Sequence, residues 1–175
     1  MNHALTLQVN IRKSADLLIP LLLSASMSVI PVKDTVWWNG TGGVVTEHRE
    51  DNAAACTLTF RGDNGTIAFN WEGTGRTSVT VIDPDWQLSD DQPLPVAMQV
   101  GDVWLSNGGN SAVIEGQGHG SVITFHVAQE IEPLLAPADR IEVRVRAGTL
   151  SVALNRSKLS TVLDRTRRCL GVIRR

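Results

Sequence analysis

Cys56 and Cys169 are the only cysteines of the chain, and more than a hundred residues lie between them. That distance rules out the close spacing of a zinc knuckle, and no CxxC pair offers thiol exchange. In an oxidising compartment an even pair of this kind forms a disulfide; in a reducing one both would be buried thiols. The histidines are His3, His48, His119 and His126, with no HxH or HExxH pattern. A metal site needs three or four convergent ligands, so no metal ligand is assigned. Asp83-Pro84-Asp85 with Asp90-Asp91 lacks the alternating oxygens and closing glutamate of a calcium loop. Gly118-His119-Gly120-Ser121 does not form the GxSxG elbow of a hydrolase. The glycine stretches carry neither the Lys-Ser/Thr of a phosphate loop nor a GxGxxG fingerprint. No catalytic residue and no cofactor is assigned on these grounds. A small hydrolase or carbohydrate-active enzyme, its residues converging only in the fold, stands as the alternative to a binding protein.

The five tryptophans are the better candidates for contact, because a flat apolar ring with one polar atom gains much from burial against a partner. Trp37 and Trp38 are adjacent, so a regular strand points them to opposite faces. Trp71, Trp86 and Trp104 fall at strand ends or in links, and at least two should be core. The binding candidates are Trp37, Trp38, Trp86 and the glycine-loop His119. Net charge is −2, and the arginines near the C-terminus suit the dipole of a helix end, so nucleic acid is not an expected partner. A protein, glycan or cell-envelope partner is.

The N-terminus adds a location. Arg12 and Lys13 precede an apolar run from Leu17 to Ile30. That run is shorter than the roughly 20 residues a bilayer span requires and suits the core of a signal peptide. Residues 1–30 are read as a signal peptide or apolar leader, directing a bacterial protein to the periplasm or the exterior without a stable transmembrane span.

The elements that must position these residues are mostly strands. Residues 31–55 read as a linker and first strand, with a charged loop from Glu47 to Asn52. Residues 56–175 read as one β-rich domain with a C-terminal helix. Leu58 and Phe60 alternate toward one face, Gly62-Asp63-Asn64-Gly65 turns, and residues 66–71 return as a hairpin. Gly101-Asp102 is a two-residue turn, and Asn107-Gly108-Gly109-Asn110 reads as another. Ile141, Val143 and Val145 face a core while Glu142, Arg144 and Arg146 face water. Asn155 or Ser157 caps a final helix whose apolar stripe is Leu159, Val162, Leu163, Thr166, Cys169 and Leu170. About ten strands joined by short turns predict a mainly β fold, an antiparallel β-sandwich or flattened barrel with the C-terminal helix packed on it.

The order of strands, short helix and final cysteine-bearing helix, from roughly Cys56 to Cys169, resembles small exported bacterial proteins of the invasion-associated locus B type. The likeness rests on that order and brings no site with it. The expected function is an exported binding or accessory protein acting through protein–protein or envelope contacts.

Overall fold

The computed structural model describes residues 33–50, 53–89, 92–113 and 120–175. The leader read at 1–30 and the loop carrying His119 lie outside the described residues. Among these residues ten strands form one sheet: β1 (Lys33–Gly40), β2 (Gly43–Glu50), β3 (Ala53–Arg61), β4 (Thr66–Glu72), β5 (Thr77–Asp83), β6 (Gln92–Val100), β7 (Val103–Val113), β8 (Ser121–Val127), β9 (Arg140–Val145) and β10 (Gly148–Ala153). A short helix, α1 (Glu132–Leu135), precedes β9, and α2 (Arg156–Ile173) follows β10.

Every neighbouring pair is antiparallel, in the order β1-β2-β3-β4-β5-β8-β7-β6-β9-β10. The first five strands form a meander. After β5 the chain crosses to β6 and returns through β7, so that β8 lands beside β5, a Greek-key step. The sheet coils back on itself. A Cβ on Gly62, at the β3–β4 turn, would stand 3.1 Å from both the Ser151 carbonyl oxygen and Val152 Cγ2 of β10. A Cβ on Gly65 in the same turn would meet the Leu150 methyls at 3.0 and 3.1 Å. The β3–β4 turn thus touches β10, the last strand of the hydrogen-bonded order, and the mainly β architecture with a packed terminal helix is as expected.

Alternation builds the interior. Cys56, Leu58 and Phe60 on β3 share a face with Ile67, Phe69 and Trp71 on β4, and all six are buried. Phe69 meets Phe60 edge-on at 6.2 Å and stacks on Trp71 at 6.0 Å. The whole expected stripe of α2, from Leu159 to Leu170, is buried, with Ile173 added. The helix lies over β1, β2 and β3. Its first turn presses on the β1–β2 turn so closely that a Cβ on Gly42 would fall 2.6 Å from Lys158 Cβ. Asn155 holds the N-cap position, but through its backbone: Lys158 N and Leu159 N donate to its carbonyl at 2.9 Å each, while its side chain accepts from the Ser157 hydroxyl. Cys56 and Cys169 form a disulfide with their Cα atoms 6.1 Å apart, pinning α2 to β3 across 113 residues of chain.

Three expectations change. Glu47 to Glu50 belong to β2 rather than to a loop, and Glu47 points inward at 5% exposure, opposite Cys56. The residues 107–110 do not turn; β7 runs through them, with Gly109 paired to both Leu94 and Phe125. The glycine serves close packing, since a Cβ there would stand 3.0 Å from Ile123 Cγ2 and from Val96 Cγ2. Glu142 is not open to water but 9% exposed, because β9 is flanked by β6 and β10 and Arg144 folds over it.

The disulfide and the β9 register each yield a measurement. Replacing Cys56 by Ser lowers the melting temperature under oxidising conditions, by about 2–4 kcal/mol in stability given the long loop it opens. In reducing buffer the variant and the wild type converge. Val143→Asp places a charge in the sealed interior and abolishes cooperative unfolding, a loss above about 4 kcal/mol, as read by near-ultraviolet circular dichroism.

Candidate functional site

Trp37 and Trp38 sit on the edge strand β1, where the register to β2 shifts between Val36 and Trp38. The extra residue breaks the two-residue period. Trp38 pairs with Val45, which is buried, and Trp37 donates from Nε1 to Glu47 Oε2 at 2.9 Å. Val45 and Glu47 are two residues apart on β2, so both indoles lie on one face rather than on opposite faces, half-buried against the core. Arg49 Nε donates to the other oxygen of Glu47. Each carboxylate oxygen thereby has a bonding partner although the side chain faces the interior. Trp38 Nε1 is buried and has no hydrogen-bond partner among the described residues. Its ring lies against Gly40, where a Cβ would approach Cζ2 to 3.0 Å.

Trp86 is interior, at 4% exposure, with its indole nitrogen 3.0 Å from where a Cβ on Gly148 would stand. Its carbonyl accepts from the buried Ser121 hydroxyl at 3.0 Å, and Ser121 Oγ accepts from Leu88 N at 2.9 Å. These bonds fasten the β5–β6 link to β8. With Trp71, Trp86 supplies the two core tryptophans expected among the later three. His119 lies outside the described residues, so of the four candidates the structure places three, and it brings only Trp37 and Trp38 together.

The most exposed indole is one the sequence did not single out as a contact. Trp104 is 47% exposed on the outer face of the sheet. The two-residue hairpin between β6 and β7 sets its direction: Val100 opposes Val103, Gln99 opposes Trp104 and Met98 opposes Leu105. Since Met98 and Leu105 are buried, Trp104 must face out. Gln99 in turn pairs with Glu142 on β9, so Trp104, Gln99, Glu142 and Arg144 share one side. Arg144 places its guanidinium carbon 4.6 Å from the Trp104 ring centroid and donates from Nε to Glu142 Oε1. A cation over an indole face and a carboxylate on its edge together hold the guanidinium in one orientation. Beside this stack a groove of about 590 Å³ is lined by Pro95, Val96, Ala97, Gly108, Arg144, Val145 and Arg146.

Two other concavities carry ionisable side chains. One, of about 550 Å³, has an alanine floor from Ala53 to Ala55 and is rimmed by His48, Glu50, Glu72 and Thr74. His48 Nδ1 bonds Asp34 Oδ1 at 2.7 Å, the pairing that orients a catalytic base. Among the described residues no serine or cysteine lines the cavity, and the Thr74 hydroxyl donates to Glu72 at 3.0 Å rather than to His48. The other, of about 480 Å³, gathers Asp63, Asp83 and Asp85. Asp83 is buried and accepts from Asp85 N at 2.8 Å, an Asx turn. No group of three acidic, histidine or cysteine ligands suited to a metal occurs among the described residues. Near the C-terminus, Arg167 bonds Glu132 on α1 and Asp164 on α2, and the Glu132 hydrogen bond and charge raise its pKa above the ordinary guanidinium value.

No family model, no curated protein and no solved structure matches this chain. Function is therefore read from geometry.

The Arg144–Glu142 pair is open to a double-mutant cycle. Arg144→Ala leaves a largely covered carboxylate without its cation and costs about 1–2 kcal/mol. Adding Glu142→Gln recovers most of that loss, and urea unfolding of the four proteins measures the coupling. Additive losses would mean that the two side chains do not communicate.

Proposed function

We propose that this chain is an exported, β-rich binding protein that engages a protein partner of the cell envelope through the outer face of β6, β7 and β9. One observation carries the reading: Trp104 is left half in water, stacked with Arg144 and bordered by a shallow groove. Tryptophan and arginine dominate the small number of residues that account for most binding energy at protein interfaces. A large ring fixed by packing loses little entropy on contact, and a guanidinium already oriented loses less still. Single exposed apolar residues are ordinary, but an indole and a cation held together above a groove form a patch that water covers poorly.

Export is supported by the disulfide, which persists in oxidising compartments, and by the basic residues and apolar run at the N-terminus. Among the described residues no helix is long and apolar enough to cross a membrane.

Trp104→Ala is the direct check. Its side chain contributes little to the core, so stability stays within about 0.5 kcal/mol of the wild type. Affinity for a partner recovered from the envelope fraction falls about thirtyfold or more, as expected for an interface anchor worth about 2 kcal/mol. Equal recovery by wild type and variant would overturn the assignment of this face.

A further inference from the structure

Building on that reading, we infer that the partner presents an extended acidic segment, whose carboxylates pair with Arg144 and Arg146 while its backbone crosses the groove beside Trp104. Charge is the first ground. The chain is acidic by two charges overall, yet Arg140 and Arg144 lie on the outer side of β9 and Arg146 follows directly, opposed there only by Glu142. Arg146 has no ion pair among the described residues. The outer side of β9 with the residue after it thus carries three arginines against one glutamate, a local excess of positive charge that favours anionic partners.

Orientation is the second ground. Arg144 uses Nε for Glu142 and its π-face for Trp104. The Nη donors remain as a fixed fork, the geometry that grips a carboxylate with two parallel bonds. Proximity is the third. Arg146 opens the turn between β9 and β10, two residues beyond Arg144, and both side chains line the same groove.

Side-chain recognition, not strand addition, is what the groove permits. β9 pairs with β6 only from Ala97 to Val100, leaving the first half of β6 unpaired on that side. Pro93 and Pro95 fall in that half and bring no N–H to a ladder. Indole platforms for sugars need an open ring face, and here Arg144 covers one face of Trp104. An acidic peptide fits these features better than a glycan.

Isothermal titration of the full chain tests this with three probes: an eight-residue peptide alternating glutamate with threonine, the same peptide with glutamine for glutamate, and polygalacturonate as an anionic glycan. The expected result is binding of the glutamate peptide, at least about tenfold weaker binding of the glutamine peptide, and weakening as salt rises. Arg146→Glu, an exposed change that leaves the Glu142 pair intact, lowers affinity about tenfold or more. Arg144→Lys keeps the charge but loses the fork, and lowers affinity less than Arg146→Glu does. Binding of neither peptide, while partner recovery still depends on Trp104, would overturn the acidic-segment inference and leave the binding face standing. Tighter binding of polygalacturonate than of the glutamate peptide would overturn it in favour of a glycan. Loss of the Trp104 dependence would remove the face itself.

Discussion

The covalent tie between β3 and α2 is the constraint on which the architecture turns. A coiled sheet has an inner face that must be closed, and over the first three strands the closing element is the last helix of the fold. The helix reaches that place from the far edge of the sheet, because it follows β10 directly. Its apolar stripe supplies the attraction, and the Cys56–Cys169 bridge removes the freedom of some hundred intervening residues to drift away. Both sulfur atoms belong to fully buried residues, so a reductant can reach them only after the helix lifts. Burial and bond therefore protect each other. The same interlock explains why the β1–β2 turn tolerates only glycine at position 42, where the helix leaves no room for a side chain.

Electrostatics is handled by a repeated local device. Glu47 and Glu142 are both nearly covered, and each is met by an arginine two residues along its own strand, Arg49 or Arg144. Same-face neighbours on a strand are two apart, so the pairing needs no long-range coincidence. A tryptophan completes each group, Trp37 by a hydrogen bond to the carboxylate and Trp104 by stacking under the cation. The first group lies inward near α2 and serves structure. The second lies outward and leaves its ring and guanidinium for use.

Much of this was legible because it follows from period and composition. Alternation in β3 and β9 pointed to inward residues, and the stripe of α2 to its buried side. What escaped did so for definable reasons. A bulge adds one residue without any compositional mark, so Trp37 and Trp38 could not be assigned to one face from their spacing. Asn107-Gly108-Gly109-Asn110 has the composition of a turn, but Gly109 is small because two neighbouring strands crowd it. Glu47 and Glu142 are charged and covered, which depends on the arginine beside them and on strands far away in sequence. Trp104 was within reach: the Gly101-Asp102 turn fixes the register, and the register sends that indole outward.

The Greek-key step has a consequence for how the chain is made. β1 to β5 can zip together in the order of synthesis, and β6, β7 and β8 form a second local ladder. Their union waits for β5 to find β8, as in the pairing of Val79 with Phe125, and such distant contacts form slowly. Until then each half displays an oily surface that invites wrong partners.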